Sequence, residues 1–323
     1  MNPQHVHTVV MYPRPHPDPI CALFLLREFG QAHFPGIGEA KVEYWNKMPT
    51  DKTSDQLEAE GYLLIDAGNG KFDHHHTSHG PKNDCASTLV AKYLGVDQKP
   101  ELRKLLQYVK RDDLEGKGIV SKDLIDRAFG LSALIMNLNR DYPDHPDYVL
   151  GMVYRIFLAH YHEEYRRKVL MPQEWETLQR TGKAAQFSVT RNGRIYKIIM
   201  VESDSTTLVG FLRAVKTIQA DIVVQRRSSG HTNIITNQNK GGPIDLRPLV
   251  KLIRQQEAQS RNISLGQHSA EDLEKPGRIP EIPEWYFDTA AKTLQNGGAA
   301  SAGISPTLLT LEDLKIAITN TLL

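Results

Sequence analysis

Cysteine is nearly absent: the 323 residues contain two, Cys21 and Cys85. Both lie in apolar stretches, ICALFLL and CASTLVAKYLG, which argues against a disulfide framework and for buried thiols in a reducing compartment. An excess of charge is also missing. Lys and Arg number 39 and Asp and Glu 38, a formal net charge of +1. That balance gives no global pull toward nucleic acid or membrane and leaves only local basic patches for anions. No run approaches the roughly 18 apolar residues that span a bilayer. The N-terminal MNPQHVHTVVMYP has neither the basic start nor the apolar segment of a secretory signal. A cytoplasmic protein without membrane contact is expected. Basic residues interleaved with aromatics are lacking too, which argues against a nucleic-acid-binding module without chemistry.

What is present is 40% hydrophobic and 24% charged, enough to bury a good core, and the length suggests two domains. HTVVMYP (7–13), KVEYW (41–45) and YLLIDAG (62–68) read as strands, the last as a buried parallel one, and KFDHHH as a further short strand. ICALFLLREFG (20–30) and ASTLVAKYLG (86–95) read as helices with glycine stops. This alternation predicts an α/β layer with a mostly parallel sheet. From about residue 100 the spacing turns helical, through ELRKLLQYVKRDD, DLIDRAFGLSALIMNLN and DYVLGMVYRIFLAHYHEEYRRKVL. QEWETLQRTGKAAQ reads as helix or linker. FSVTRNGRIYKIIMVE predicts a hairpin turning at RNG. The helix TTLVGFLRAVKT, the strands ADIVVQRR and TNIITN, and the helix LRPLVKLIRQQEA make a second, smaller α/β domain. Residues 262–280 read as a polar loop, and Thr310 with Asp313 as the cap of a final helix. The expected boundaries are 1–165, a helical linker 166–185, and 186–323.

Four clusters of carboxylates and imidazoles fall in the first domain. His16 and Asp18 follow the first strand, in RPHPDP. Asp66 ends the YLLID strand. Asp73, His74 and His75 come next, and Asp112 with Asp113 closes a helix. Taken singly, each has an ordinary reading: a proline-stiffened turn, a turn cap, a solvated histidine tract, an exposed helix end. Together they differ, because open parallel sheets bind ligands outside the carboxyl ends of their strands. Carboxylates mixed with imidazoles and no thiolate suit Mn²⁺ or Mg²⁺, with Zn²⁺ and Fe²⁺ as alternatives.

In this order, HPD after the first strand, Asp ending an apolar strand, DHH, and a later Asp in a helical region resemble the motifs of the DHH phosphoesterase superfamily. DAGNGKFDHHH and CASTLVAKYLG are most similar to the branch typified by the melanocyte proliferating gene product. The likeness covers the first half of the chain. It implies a parallel-sheet DHH domain, a helical linker and a smaller α/β domain, with the active site between the two domains. It implies metal-dependent hydrolysis of phosphodiester or phosphomonoester bonds in nucleotides or short single-stranded nucleic acid, with one or two Mn²⁺ or Mg²⁺ ions. Carried across, His16, Asp18, Asp66, Asp73, His75 and Asp113 are the metal ligands, Asp66 the bridge, and Asp73, His74 and His75 the catalytic group. Between Asp112 and Asp113 the sequence favours Asp113.

Two departures stand out. Most of the superfamily has a second aspartate in its first motif where this chain has Ile20, so one ligand of a second metal is missing, as in the branch it resembles, which leaves a one-metal site or a second ion bound only with substrate open. Relatives end in a Gly-Gly-Gly-His motif on the substrate phosphate, where this chain offers Arg226, Arg227, Gly230 and His231, then KGG at 240–242 and a glycine loop with Gly297 and Gly298. These are the expected substrate contacts. His76 and His79 flank the DHH motif, where contact with substrate or solvent is equally open. A homodimer is an arrangement the sequence leaves open. The rival reading is a non-catalytic metal or nucleotide sensor on the same scaffold.

Overall fold

The computed structural model of the chain describes residues 5–75, 83–191, 193–214, 217–238, 244–266, 268–297 and 303–322. The chain divides into two compact units, Met1–Val169 and Leu170–Leu323. The fold is mixed α/β.

In the first unit β1 (Thr8–Met11), β2 (Lys41–Tyr44) and β3 (Tyr62–Leu64) form a parallel sheet in the order β2-β1-β3. Val9 pairs with Val42 on one side and Leu63 on the other. The TVVM run is buried along its whole length, as a central parallel strand covered on both faces must be. Helix α1 (Pro17–Phe29) starts with Pro17, whose missing N–H costs nothing at that position. Its residues Ile20 through Leu26 are all fully buried, so it forms the spine of the main core and packs against α3 (Ala86–Tyr93), α4 (Arg103–Glu115) and α7 (Pro146–Tyr165). On the opposite face, Val10, Leu57 and Leu64 make a small core under α2 (Ser54–Ala59). Two further helices, α5 (Leu124–Ala128) and α6 (Leu131–Asp141), precede α7, which runs into a π-helical turn at Arg166–Leu170.

The short strand expected at KFDHHH is not formed. Residues 71–75 are turn and irregular backbone, following positive φ at Asp66, Gly68 and Asn69. Asp73 organises this turn: its carboxylate accepts the backbone N–H of Asn69 at 2.9 Å and of His75 at 3.0 Å. The local side chain replaces a strand ladder as the partner of the backbone.

The second unit opens with α8 (Met171–Arg180) and the antiparallel hairpin of β4 (Ala184–Arg191) and β5 (Arg194–Glu202). There follow α9 (Leu208–Arg213), β6 (Ile222–Arg226), β7 (Thr232–Thr236), α10 (Arg247–Ser260), α11 (Ala270–Leu273), β8 (Gly277–Ile279), β9 (Ile282–Asp288), β10 (Thr293–Gln295) and α12 (Leu311–Leu322). The sheet order is β4-β5-β6-β7-β10-β9-β8, with β5 and β6 parallel and the other described pairs antiparallel. Alternation along β5 sends Ile198 and Met200 into one core and Ile199 and Val201 into the other, the period-2 signature of a strand covered on both faces. The stretch 262–280, expected as loop, contains α11 and β8. Ser269 and Asp272 form a capping box there. Thr310 and Asp313 do cap α12, exchanging bonds of 2.8 and 3.1 Å.

Candidate metal centre at the rim of the parallel sheet

Strands β1 and β3 are parallel neighbours, so their carboxyl ends open on one rim. Past β1 the chain reaches His16, the N-cap residue of α1, with Asp18 in the first turn. Past β3 it reaches Asp66, whose φ of 55° is left-handed. An L-residue with a Cβ holds that conformation at a cost of about 1–2 kcal/mol, and such residues gather at functional sites. The Asp66 N–H bonds to the carbonyl of Phe72 at 3.2 Å, folding the loop back so that His74 and His75 return to the Asp66 carboxylate. The last turns of α4 deliver Asp113.

The side chains converge. His74 Nε2 lies 3.2 Å from Asp66 Oδ1 and 3.2 Å from Asp113 Oδ2. His75 Nε2 lies 3.2 Å from Asp66 Oδ1. His16 Nε2 lies 3.3 Å from Asp113 Oδ1 and 3.7 Å from Asp66 Oδ2. Both carboxylates therefore face imidazoles with both oxygens. Among the described residues, two groups have the donor spacing of a cation site, Asp66–His74–His75 and His16–Asp18–Asp113.

The donor set fits a divalent cation on two grounds. Metal–ligand bonds of about 2.0–2.2 Å put two ligands of one ion about 3.0–3.6 Å apart, a range that holds all the separations above except the 3.7 Å from His16 to Asp66. Moreover, Asp66 Oδ1, His74 Nε2 and Asp113 Oδ2 are buried yet have no aligned hydrogen-bond partner. Buried polar atoms are otherwise almost always satisfied. The two carboxylate oxygens each lie 3.2 Å from His74 Nε2, where either a proton on the imidazole or a cation can bridge them.

Charge follows the geometry. The Asp66 carboxylate beside His74 holds that imidazole above its ordinary range, against the opposing effect of burial. For His16, burial lowers the affinity for a proton, but Asp113, Asp66 and Asp18 together raise it further. Burial pushes the Asp113 carboxyl up, and His16 with His74 pulls it lower still, to a net depression. Asp18 is fully buried, and burial pushes its carboxyl up despite hydrogen bonds from Cys85 and Ser87. Its two oxygens accept the backbone N–H groups of Ala86 and Ser87, each at 2.8 Å. It thus caps α3 while standing at the edge of the cluster.

Of the sequence-derived ligands, His16, Asp18, Asp66, His75 and Asp113 are brought together, and His74 joins them. Asp113 is the member of the Asp112–Asp113 pair that reaches the imidazoles. Asp73 belongs to neither donor group; it supports the loop instead. Ile20 is buried in the main core, so its position offers no second carboxylate. His76 and His79 lie outside the described residues.

In the second unit Arg226 donates to the carbonyl of Leu309 and to Thr232 Oγ1. His231 has Nδ1 against Ser229 Oγ at 2.9 Å and Nε2 against the carbonyl of Ile304 at 3.0 Å. Gly297 (φ 85°) packs on that ring, and a Cβ there would stand 2.3 Å from His231 Cδ2. Gly230 (φ 83°) closes the turn with its N–H on the carbonyl of Arg227 at 2.9 Å. These groups are engaged with their own unit. Arg227 is half-buried, its Nε without a hydrogen bond. Gly298 and the 240–242 segment lie outside the described residues.

Sequence reasoning missed Asn139 of α6, which donates to the carbonyl of Pro15 at 3.0 Å and holds the loop that carries His16. Nothing local signals a contact 124 residues apart. Both cysteines are free and buried, and burial pushes their thiols up. No described helix is long and apolar enough to cross a membrane.

No family model matches the chain, and no curated protein matches it. Among solved structures, the crystal structure of an uncharacterized protein from Helicobacter pylori G27 aligns at a TM-score of 0.26 and 12% identity, over 98% of this chain and 99% of that one. A likeness at that level carries no inference about fold or chemistry.

Proposed function

We propose that the protein is a metal-dependent phosphoesterase acting on nucleotides or short single-stranded nucleic acid. One observation carries the reading: Asp66, Asp113, His16 and His74 converge at the carboxyl rim of a parallel sheet with three buried donor atoms unsatisfied. The order of HPD, strand-end Asp, DHH and helical Asp, which resembles the DHH phosphoesterases, supports the choice of reaction.

Asp66, His74 and His75 would hold one Mn²⁺ or Mg²⁺ ion, and His16 and Asp113 a second, with Asp66 facing both. A divalent cation there supplies Lewis acidity toward a phosphoryl oxygen and acidifies water. His75 is the most exposed member, its side chain 59% accessible, and stands against Asp66 Oδ1. His74 is held between two carboxylates, which orient its ring. Asp18 and Asp73 act on the backbone: one secures α3 and the other the loop that presents both histidines.

The test is hydrolysis of a chromogenic phosphodiester and of short oligonucleotides with Mn²⁺. Turnover that is lost with EDTA and in Asp66→Ala is expected; full activity in that variant refutes the assignment. A second reading has its own support. Both Asp18 oxygens serve α3, leaving the His16 side of the centre poor in free carboxylate, as a metal or nucleotide sensor without catalysis would tolerate. Mn²⁺ binding without turnover of any of these substrates would favour it.

A further inference from the structure

We infer that a cavity sharing His16 with the metal centre is an anion subsite, which selects phosphoesters carrying a second negatively charged group. The inference rests on the phosphoesterase reading for what it selects, though not for the anion binding itself. The cavity measures about 850 Å³ and is lined by Arg14, Arg127 and Arg140. His16 stands in its wall, with Nε2 3.3 Å from Asp113 Oδ1. The cavity and the centre are therefore contiguous through one imidazole.

Arginines outnumber carboxylates in this wall. Asp112 is the one carboxylate among the described residues that lines it. Among the described residues, the guanidiniums of Arg14 and Arg127 make no ion pair or hydrogen bond, and Arg140 contacts only the thioether of Met136, at 3.5 Å. Guanidiniums without partners around a concavity suit bidentate binding of phosphate oxygens. Ile119, Ile135 and Met136 add an apolar side, and the volume lies in the range of small-ligand pockets. A ligand with one phosphate at the metal centre, an apolar body and a second anionic group on the arginines matches all three features.

Part of the backbone around the cavity is tied together. Asn139 ties α6 to the loop of Arg14 and His16. The Tyr108 hydroxyl and Ser132 Oγ, 2.8 Å apart, tie α4 to α6. Arg111 bonds the carbonyl of Gly118 at 3.0 Å. A Cβ at Gly118 would fall 1.7 Å from Ser132 Oγ and 2.4 Å from Asp112 Oδ1, so glycine is what lets this loop close on α6.

The experiment compares a dinucleotide bearing a 5′-terminal phosphate with the same dinucleotide lacking it, using the full chain and Mn²⁺. The phosphorylated compound is expected to show a KM lower by about tenfold or more. In the double variant Arg127→Gln, Arg140→Gln that ratio should collapse toward about one, and Arg127→Lys should retain part of it. Calorimetry with inorganic pyrophosphate on the EDTA-treated chain gives a readout free of turnover: binding is expected in the wild type and should weaken about tenfold in the double variant. Turnover with a KM ratio indifferent to the arginines overturns the subsite and leaves the phosphoesterase standing. Arginine-dependent pyrophosphate binding without turnover supports the subsite and overturns the phosphoesterase. Neither turnover nor binding overturns both.

Discussion

Ser87 donates its backbone N–H to Asp18 Oδ1 at 2.8 Å, across 69 residues of sequence, and its hydroxyl also donates, at 2.7 Å, to the Asp18 carbonyl. This pair of bonds joins the N-terminal turns of α1 and α3 directly. Asp18→Ala strands two buried N–H groups at a helix start, a loss of about 2–4 kcal/mol. Thermal unfolding of the metal-free protein should reveal it as a clear drop in Tm. An unchanged Tm would mean that the cap contributes nothing.

Asp66→Asn keeps a side chain that tolerates left-handed backbone but removes the charge facing three imidazoles. Mn²⁺ affinity should fall by about 100-fold or more, beyond the 10–100-fold typical of losing a group that only orients a ligand. Calorimetric titration with Mn²⁺ measures this. Wild-type affinity would remove Asp66 from the centre.

Cation binding should depend on pH through His74, whose imidazole is raised above its ordinary 6.5 by Asp66. In the metal-free protein this pairing contributes stability that is fully present below 6.5 and lost as pH rises through the raised value. A cation requires the neutral ring, so its affinity moves the opposite way. It should climb by about tenfold per pH unit for each proton displaced, until the ring is neutral on its own. Titrations in buffers of different ionisation enthalpy should show proton release. Affinity that is flat across this range would exclude His74 as a ligand.

Asp113→Asn and Asp112→Asn should separate cleanly. The first removes a carboxylate 3.2 Å from His74 and 3.3 Å from His16 and should weaken Mn²⁺ binding by about 100-fold. The second alters only the wall of the neighbouring cavity and should leave Mn²⁺ affinity within about threefold. Equal losses would contradict the division of labour between the two.

Strands β1 and β3 and the spine helix were legible because they carry apolar runs. TVVM, YLL and ICALFLL could not sit anywhere but inside. Helix α2 was not, since only Leu57 of it is buried; its readable signal was the Thr53–Gln56 capping box, whose reciprocal bonds measure 3.2 and 2.8 Å. KFDHHH misled because period-2 reasoning sees side chains and not the positive φ values that precede them. The candidate centre was legible in its ligands and not in its support. Aspartates and histidines declare themselves by type, whereas Asn139 and the α3 backbone act across long separations that leave no local trace. Arg14, Arg127 and Arg140 were unremarked because each alone is an ordinary surface cation.

The left-handed bend at Asp66 limits what the position can accept. Glycine and asparagine would relax there, but neither brings a full negative charge. Glutamate brings the charge with a longer arm and a poorer tolerance of that backbone. Aspartate alone meets both demands. Selection for robustness and selection for chemistry thus pull this one residue in different directions, and a library randomised at position 66 should yield its sturdiest members and its working members as separate sets.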